Sequence, residues 1–139
     1  MFRTCRGFTK GCFAWSLGVE FAFEAEIMAI ILAIKKAHEF SWNNLWVESD
    51  SLYVVNLCKY NIEKIPWLLL NKWKRALRLA KDLNVVVSQI FWEDNCVADK
   101  LANKATLSND QLWCFQLQSN LATLAYRDIV QLAFYRFKH

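Results

Sequence analysis

Glycine and proline are nearly absent: three Gly and one Pro in 139 residues. A chain so poor in turn residues is ill suited to the many tight connections of a β-sandwich, so helices should carry much of the fold. No C-x-x-C pair occurs, and the cysteines Cys5, Cys12, Cys58, Cys96 and Cys114 are odd in number. This argues against a disulfide framework and a zinc site, and for free thiols in a reducing compartment. His38 and His139 are the only histidines and have no partner pattern. No Gly-rich phosphate loop and no Ser/His/Asp constellation is present. The N-terminal segment lacks signal-peptide character. Ile27 to Ile34 is apolar but too short to span a bilayer, and Glu24, Glu26, Lys35 and Lys36 flank it. A soluble intracellular protein, nuclear or cytoplasmic and without a membrane partner, is expected.

What is present is apolar and aromatic. Hydrophobic residues make up 55% and charged residues 22%, a balance that folds rather than stays disordered. The length suits one domain with a buried core. The net charge of +4 is compatible with nucleic acid without demanding it.

Periodicity and turn signals divide the chain. Residues 1–18 read as a short hairpin, with arms Phe2 to Cys5 and Gly11 to Leu17. Glu24 to Phe40 reads as a helix apolar on more than one stripe, hence deeply packed. Leu45 to Ser49 reads as a strand and Ser51 to Tyr60 as a helix with Asp50 or Ser51 as N-cap. Trp67 to Leu83 is a second long helix. Val85 to Trp92 is a β-branched strand, and Asp94-Asn95 caps a helix running to about Thr106. The tail has helical pattern around Asp110–Leu117 and Ala125–Phe134. The order is that of a mixed α/β fold with helices covering a sheet.

Three acids lie at element ends. Asp50 closes a strand, Asp99 opens a helix after another strand, and Glu26 lies in the first turn expected for its helix. Mg²⁺ prefers such hard oxygen ligands, and ligands in α/β proteins gather at the carboxyl ends of strands. The ordinary alternatives are that Asp50 caps the next helix, Asp99 complements the helix dipole, and Glu26 is solvated. The spacing alone leaves both open.

The surrounding residues resemble the type 1 ribonuclease H superfamily, in particular the RNase H-like domain that retroelements left in plant genomes. Ala25-Glu26-Ile27-Met28-Ala29 is similar to the family's A-E-L-x-A. Leu45-Trp46-Val47-Glu48-Ser49-Asp50-Ser51 resembles its L-x-x-E-x-D-S, and Ile65-Pro66-Trp67 its P-W turn. The run from Val87 to Ala102 resembles V-S-H-I-x-R-E-x-N-x-x-A-D-x-L-A. The resemblance implies an RNase H-like α/β fold: a mixed sheet with helices on both faces, over residues 1–106, followed by a helical tail over 107–139. It implies Mg²⁺-dependent cleavage of RNA in an RNA–DNA hybrid, with Glu26, Asp50 and Asp99 in three of four metal-binding, catalytic positions. The alternative is a dead remnant that only binds nucleic acid or serves as an interaction domain.

The departures matter as much. The family's first strand carries an acid within a T-D-G-like segment, and no such segment occurs here. The chain thus reads as N-terminally truncated, with a weakened metal site. The family's His is Gln89, an amide unable to shuttle a proton as imidazole does, and the Arg usually before Glu93 is Trp92. The absent strand belongs between the hairpin and Leu45–Ser49. The hairpin then pairs directly with that strand, another chain donates one, or the edge stays open and self-associates.

Two further groups bear on nucleic acid. Lys72, Lys74, Arg75, Arg78 and Lys81 would contact phosphates or simply form a solvated helix face. The tryptophans Trp42, Trp46, Trp67, Trp73, Trp92 and Trp113 would stack on bases, although core or rim packing is the expected role of most.

Overall fold

The computed structural model describes residues 1–6, 8–16, 21–60, 65–107, 112–114, 122–123 and 125. The chain divides into two compact units, Met1–Leu17 with Trp92–His139, and Gly18–Phe91.

In the Gly18–Phe91 unit, helix α1 spans Ala22–Glu39, strand β3 Asn44–Ser49, helix α2 Leu52–Tyr60, helix α3 Trp67–Ala80 and strand β4 Asn84–Gln89. The expected breadth of the apolar face of α1 is realised: Ile27, Met28, Ile30, Ile31, Ile34 and Ala37 are all buried. They pack with Leu69, Trp73 and Ala76 of α3, Val54, Val55 and Leu57 of α2, and Leu45 of β3 to form the unit's core. The helix begins two residues before the expected Glu24, so Glu26 lies in its second turn.

The scarcity of glycine shows at the end of α1. Ser41 takes the left-handed conformation there, with φ 54°. Its N–H donates to the His38 carbonyl at 3.0 Å, and the Trp42 N–H reaches back to Ala37 at 2.9 Å. This is a helix stop normally given to glycine, and a side chain in that conformation costs about 1–2 kcal/mol. Phe40 and Trp42 stack across it, ring centroids 5.3 Å apart.

β3 and β4 pair in parallel from Asn44↔Asn84 to Ser49↔Gln89. Cross-strand side chains reinforce the register: Asn84 Nδ2 donates to Asn44 Oδ1 at 3.1 Å, and the Trp46 indole N–H to Ser88 Oγ at 2.7 Å. The expected strand to Trp92 stops at Gln89, because β3 ends at Ser49 and offers no partner beyond it; Trp92–Asn95 is a 3₁₀ turn instead.

In the other unit, strand β1 (Phe2–Arg3) pairs antiparallel with β2 (Thr9–Ala14), a hairpin as expected but with its second arm starting at Thr9 rather than Gly11 and an irregularity between Phe2 and Arg3. Helix α4 runs Cys96–Leu107. Cys12, Val97, Leu101 and Ala125 form a small core with Met1 against it. A third strand, β5 (Leu112–Cys114), pairs antiparallel with Cys12, Phe13 and Ala14. This corrects the helical expectation at Leu112–Cys114: an available edge of β2 overrides local pattern. The rest of the expected tail helices lies outside the described residues.

The α/β composition expected from the sequence is thus present, with four helices and both parallel and antiparallel pairing among the described residues. The described strands form two sheets, of order β1-β2-β5 and β3-β4.

Burial also sets thiol chemistry. Cys5 is an exposed free thiol, whereas Cys58 on α2 is half-buried, and burial pushes its thiol up to about 11. The neutral form is therefore favoured by folding. The stabilisation this gives is present below the ordinary thiol value of 9.0 and is lost as pH rises towards about 11. At pH 8, iodoacetamide should modify Cys5 well before Cys58, since only the thiolate attacks. Equal rates, followed by mass spectrometry of the peptides, would contradict this.

Candidate nucleic-acid and carboxylate sites

Asp50 sits at the bend between β3 and α2. The bend is built locally: Ser49 Oγ accepts from the Ser51 N–H at 3.2 Å, and Ser51 Oγ accepts from the Val54 N–H at 3.4 Å. Ser51 therefore caps α2, as one of the two expected candidates. Asp50 is half-buried in that bend, and Glu26, also half-buried, belongs to the same unit on α1. Asp99 is exposed in the first turn of α4, in the other unit. The three acids are carboxylate donors, the kind Mg²⁺ takes. Among the described residues no group of three or more His, Cys, Asp or Glu is gathered so as to hold a metal ion.

An aromatic group joining α1 and α2 has no signal in the periodicity. Phe21, Phe23 and Tyr53 are 56%, 39% and 38% exposed. Phe21 and Phe23 have ring centroids 5.8 Å apart, and Phe23 meets Tyr53 edge-on at 6.0 Å. The one clue in the sequence is spacing. Phe23 precedes Glu26 by one helical turn, and Tyr53 follows Asp50 by the same interval.

α3 separates its faces cleanly. Leu69, Trp73 and Ala76 are buried, while Lys72, Lys74, Arg75, Arg78 and the following Lys81 are exposed. At about 100° per residue, Lys74, Arg75 and Arg78 lie opposite the buried stripe. Among the described residues none of these five cations is held in an ion pair, in contrast to Lys36, which reaches Glu39 at 2.7 Å.

The tryptophans part company. Trp73 is buried, but Trp46, Trp67 and Trp92 are 67%, 80% and 66% exposed, so these three are not core residues. The side chain of Trp113 lies outside the described residues. Among the described residues, no helix is long and apolar enough to cross a membrane.

A family model described as reverse transcriptase-like matches residues 1–105. No curated protein and no solved structure matches the chain.

Proposed function

This chain belongs to the reverse transcriptase-like family and is an RNase H-like domain of retroelement descent; from that premise we propose that it binds RNA–DNA hybrid or related nucleic acid and retains at most a weakened form of Mg²⁺-dependent RNA cleavage. The observation that carries the binding half is the unpaired cationic face of α3. Phosphates supply sequence-independent attraction to such a face, and the site has no base-reading motif. Recognition is then of A-form shape and 2′-hydroxyls.

For the cleavage half, Glu26, Asp50 and Asp99 are the residues that would hold Mg²⁺, and Glu26 would also orient the substrate hydroxyl and the attacking water. Bound there, Mg²⁺ would lower the pKa of that water and neutralise charge on the leaving oxygen. Residues 1–139 contain no T-D-G segment to supply a fourth carboxylate, and Gln89, exposed at the end of β4, moves no proton near neutral pH.

Hybrid affinity should fall steeply as salt rises, and Lys74→Glu with Arg78→Glu should reduce it further and flatten the salt dependence. Fluorescence anisotropy of a labelled hybrid over a salt series reads both. Salt-insensitive binding, or no effect of the double substitution, would return α3 to the role of a solvated face.

A further inference from the structure

β4 ends its sheet. The N–H groups of Asn84 and Ile90 donate to the Asn43 and Ser49 carbonyls of the β3 segment at 2.8 and 3.0 Å. In a parallel pair, alternate residues turn their backbone groups towards a given neighbour. The even-numbered residues of β4 therefore bond to β3, and the N–H and C=O groups of Val85, Val87 and Gln89 point outward. Among the described residues no strand meets them.

Nothing in β4 guards this edge. Asn84-Val85-Val86-Val87-Ser88-Gln89 has no charge, no proline and no bulge, the usual devices against pairing. β3 carries an exposed charge in Glu48.

We propose that the β4 edge is a homodimer interface, in which β4 pairs antiparallel with β4 of a second copy about a two-fold axis at Val87. The register follows from which groups point outward. Val87 faces the partner's Val87, and Val85 faces the partner's Gln89. Each such pair exchanges both its N–H and C=O groups, because these are the residues whose backbone is turned out. On the exposed face, Val86 faces the partner's Ser88. No charged residue of β4 meets a like charge, because the strand has none. Beyond the ladder, Phe91 falls opposite the partner's Leu83. Phe91 is 79% exposed in the single chain, and this contact gives it apolar cover. The arrangement is self-complementary and closes at two copies, as a two-fold interface must.

Sedimentation velocity of the 139-residue chain across the micromolar range tests this. A concentration-dependent dimer is expected. Phe91→Ser and Val86→Lys, both at exposed side chains, should each weaken it by about tenfold or more with far-ultraviolet circular dichroism unchanged. Val87→Pro removes an outward N–H without taking a bond from β3 and should abolish it. If the proline variant loses its folded signal, the two surface variants decide. A monomer throughout, assembly that continues past two copies, or a dimer indifferent to Phe91→Ser and Val86→Lys would overturn the proposal.

Discussion

Incubated with a labelled RNA–DNA hybrid and Mg²⁺, residues 1–139 should cleave at least about a hundredfold more slowly than a complete domain of the family. Two deficits compound. On the proposed reading, fewer carboxylates within residues 1–139 would leave metal charge less well held where negative charge develops, and a loss of about 2.7 kcal/mol of transition-state stabilisation already gives that factor. The second is Gln89, exposed at the end of β4. Positioned acid–base groups contribute about 10²- to 10⁴-fold, so Gln89→His should recover part of the rate. Asp50→Asn should remove what remains. Initial rates from gel-resolved products decide. Turnover equal to a complete domain and abolished by Asp50→Asn would refute the weakened site, while an absence of cleavage alongside salt-dependent hybrid binding would leave a binding domain only.

The largest stability effect is expected at Trp73. Its side chain is 2% exposed, on the stripe of α3 that also buries Leu69 and Ala76. Truncation to alanine removes its apolar contacts and leaves a cavity that packing only partly closes, costing about 3–5 kcal/mol. Against a typical domain stability of about 5–15 kcal/mol, that takes the chain close to unfolding. Trp67, six residues earlier on the same helix and 80% exposed, should cost under about 0.5 kcal/mol on the same substitution. Urea titrations followed by circular dichroism compare them directly. Similar midpoints for Trp73→Ala and Trp67→Ala would show that Trp73 is not a core residue.

These two tryptophans show where reading from sequence stops. Both belong to one helix whose start and cationic face were legible in the sequence, although it ends at Ala80 rather than at the expected Leu83. Which other surface would cover a given ring was not, because burial depends on a neighbour distant in sequence. The acids follow the same division. Asp50 and Asp99 fall where the order of strand and helix signals puts them, at an element's end and start. The turn holding Glu26 shifted because α1 starts at Ala22 without a side-chain cap, so no local residue marked the boundary.

Local chemistry thus determined the elements: α1 through its isoleucines, α2 through the Ser51 cap, and β3 and β4 through short β-branched or aromatic runs. These depend on residues a few positions apart, and one sequence contains all of that information. Only the tertiary structure decided how the strands were shared out. Leu112–Cys114 became a strand because β2 had an edge to offer, and β4 stopped at Gln89 because β3 had ended. Strand pairing joins backbone groups that are alike in every residue but proline, so it is selected by which edges meet after long loops close, and that selection is non-local.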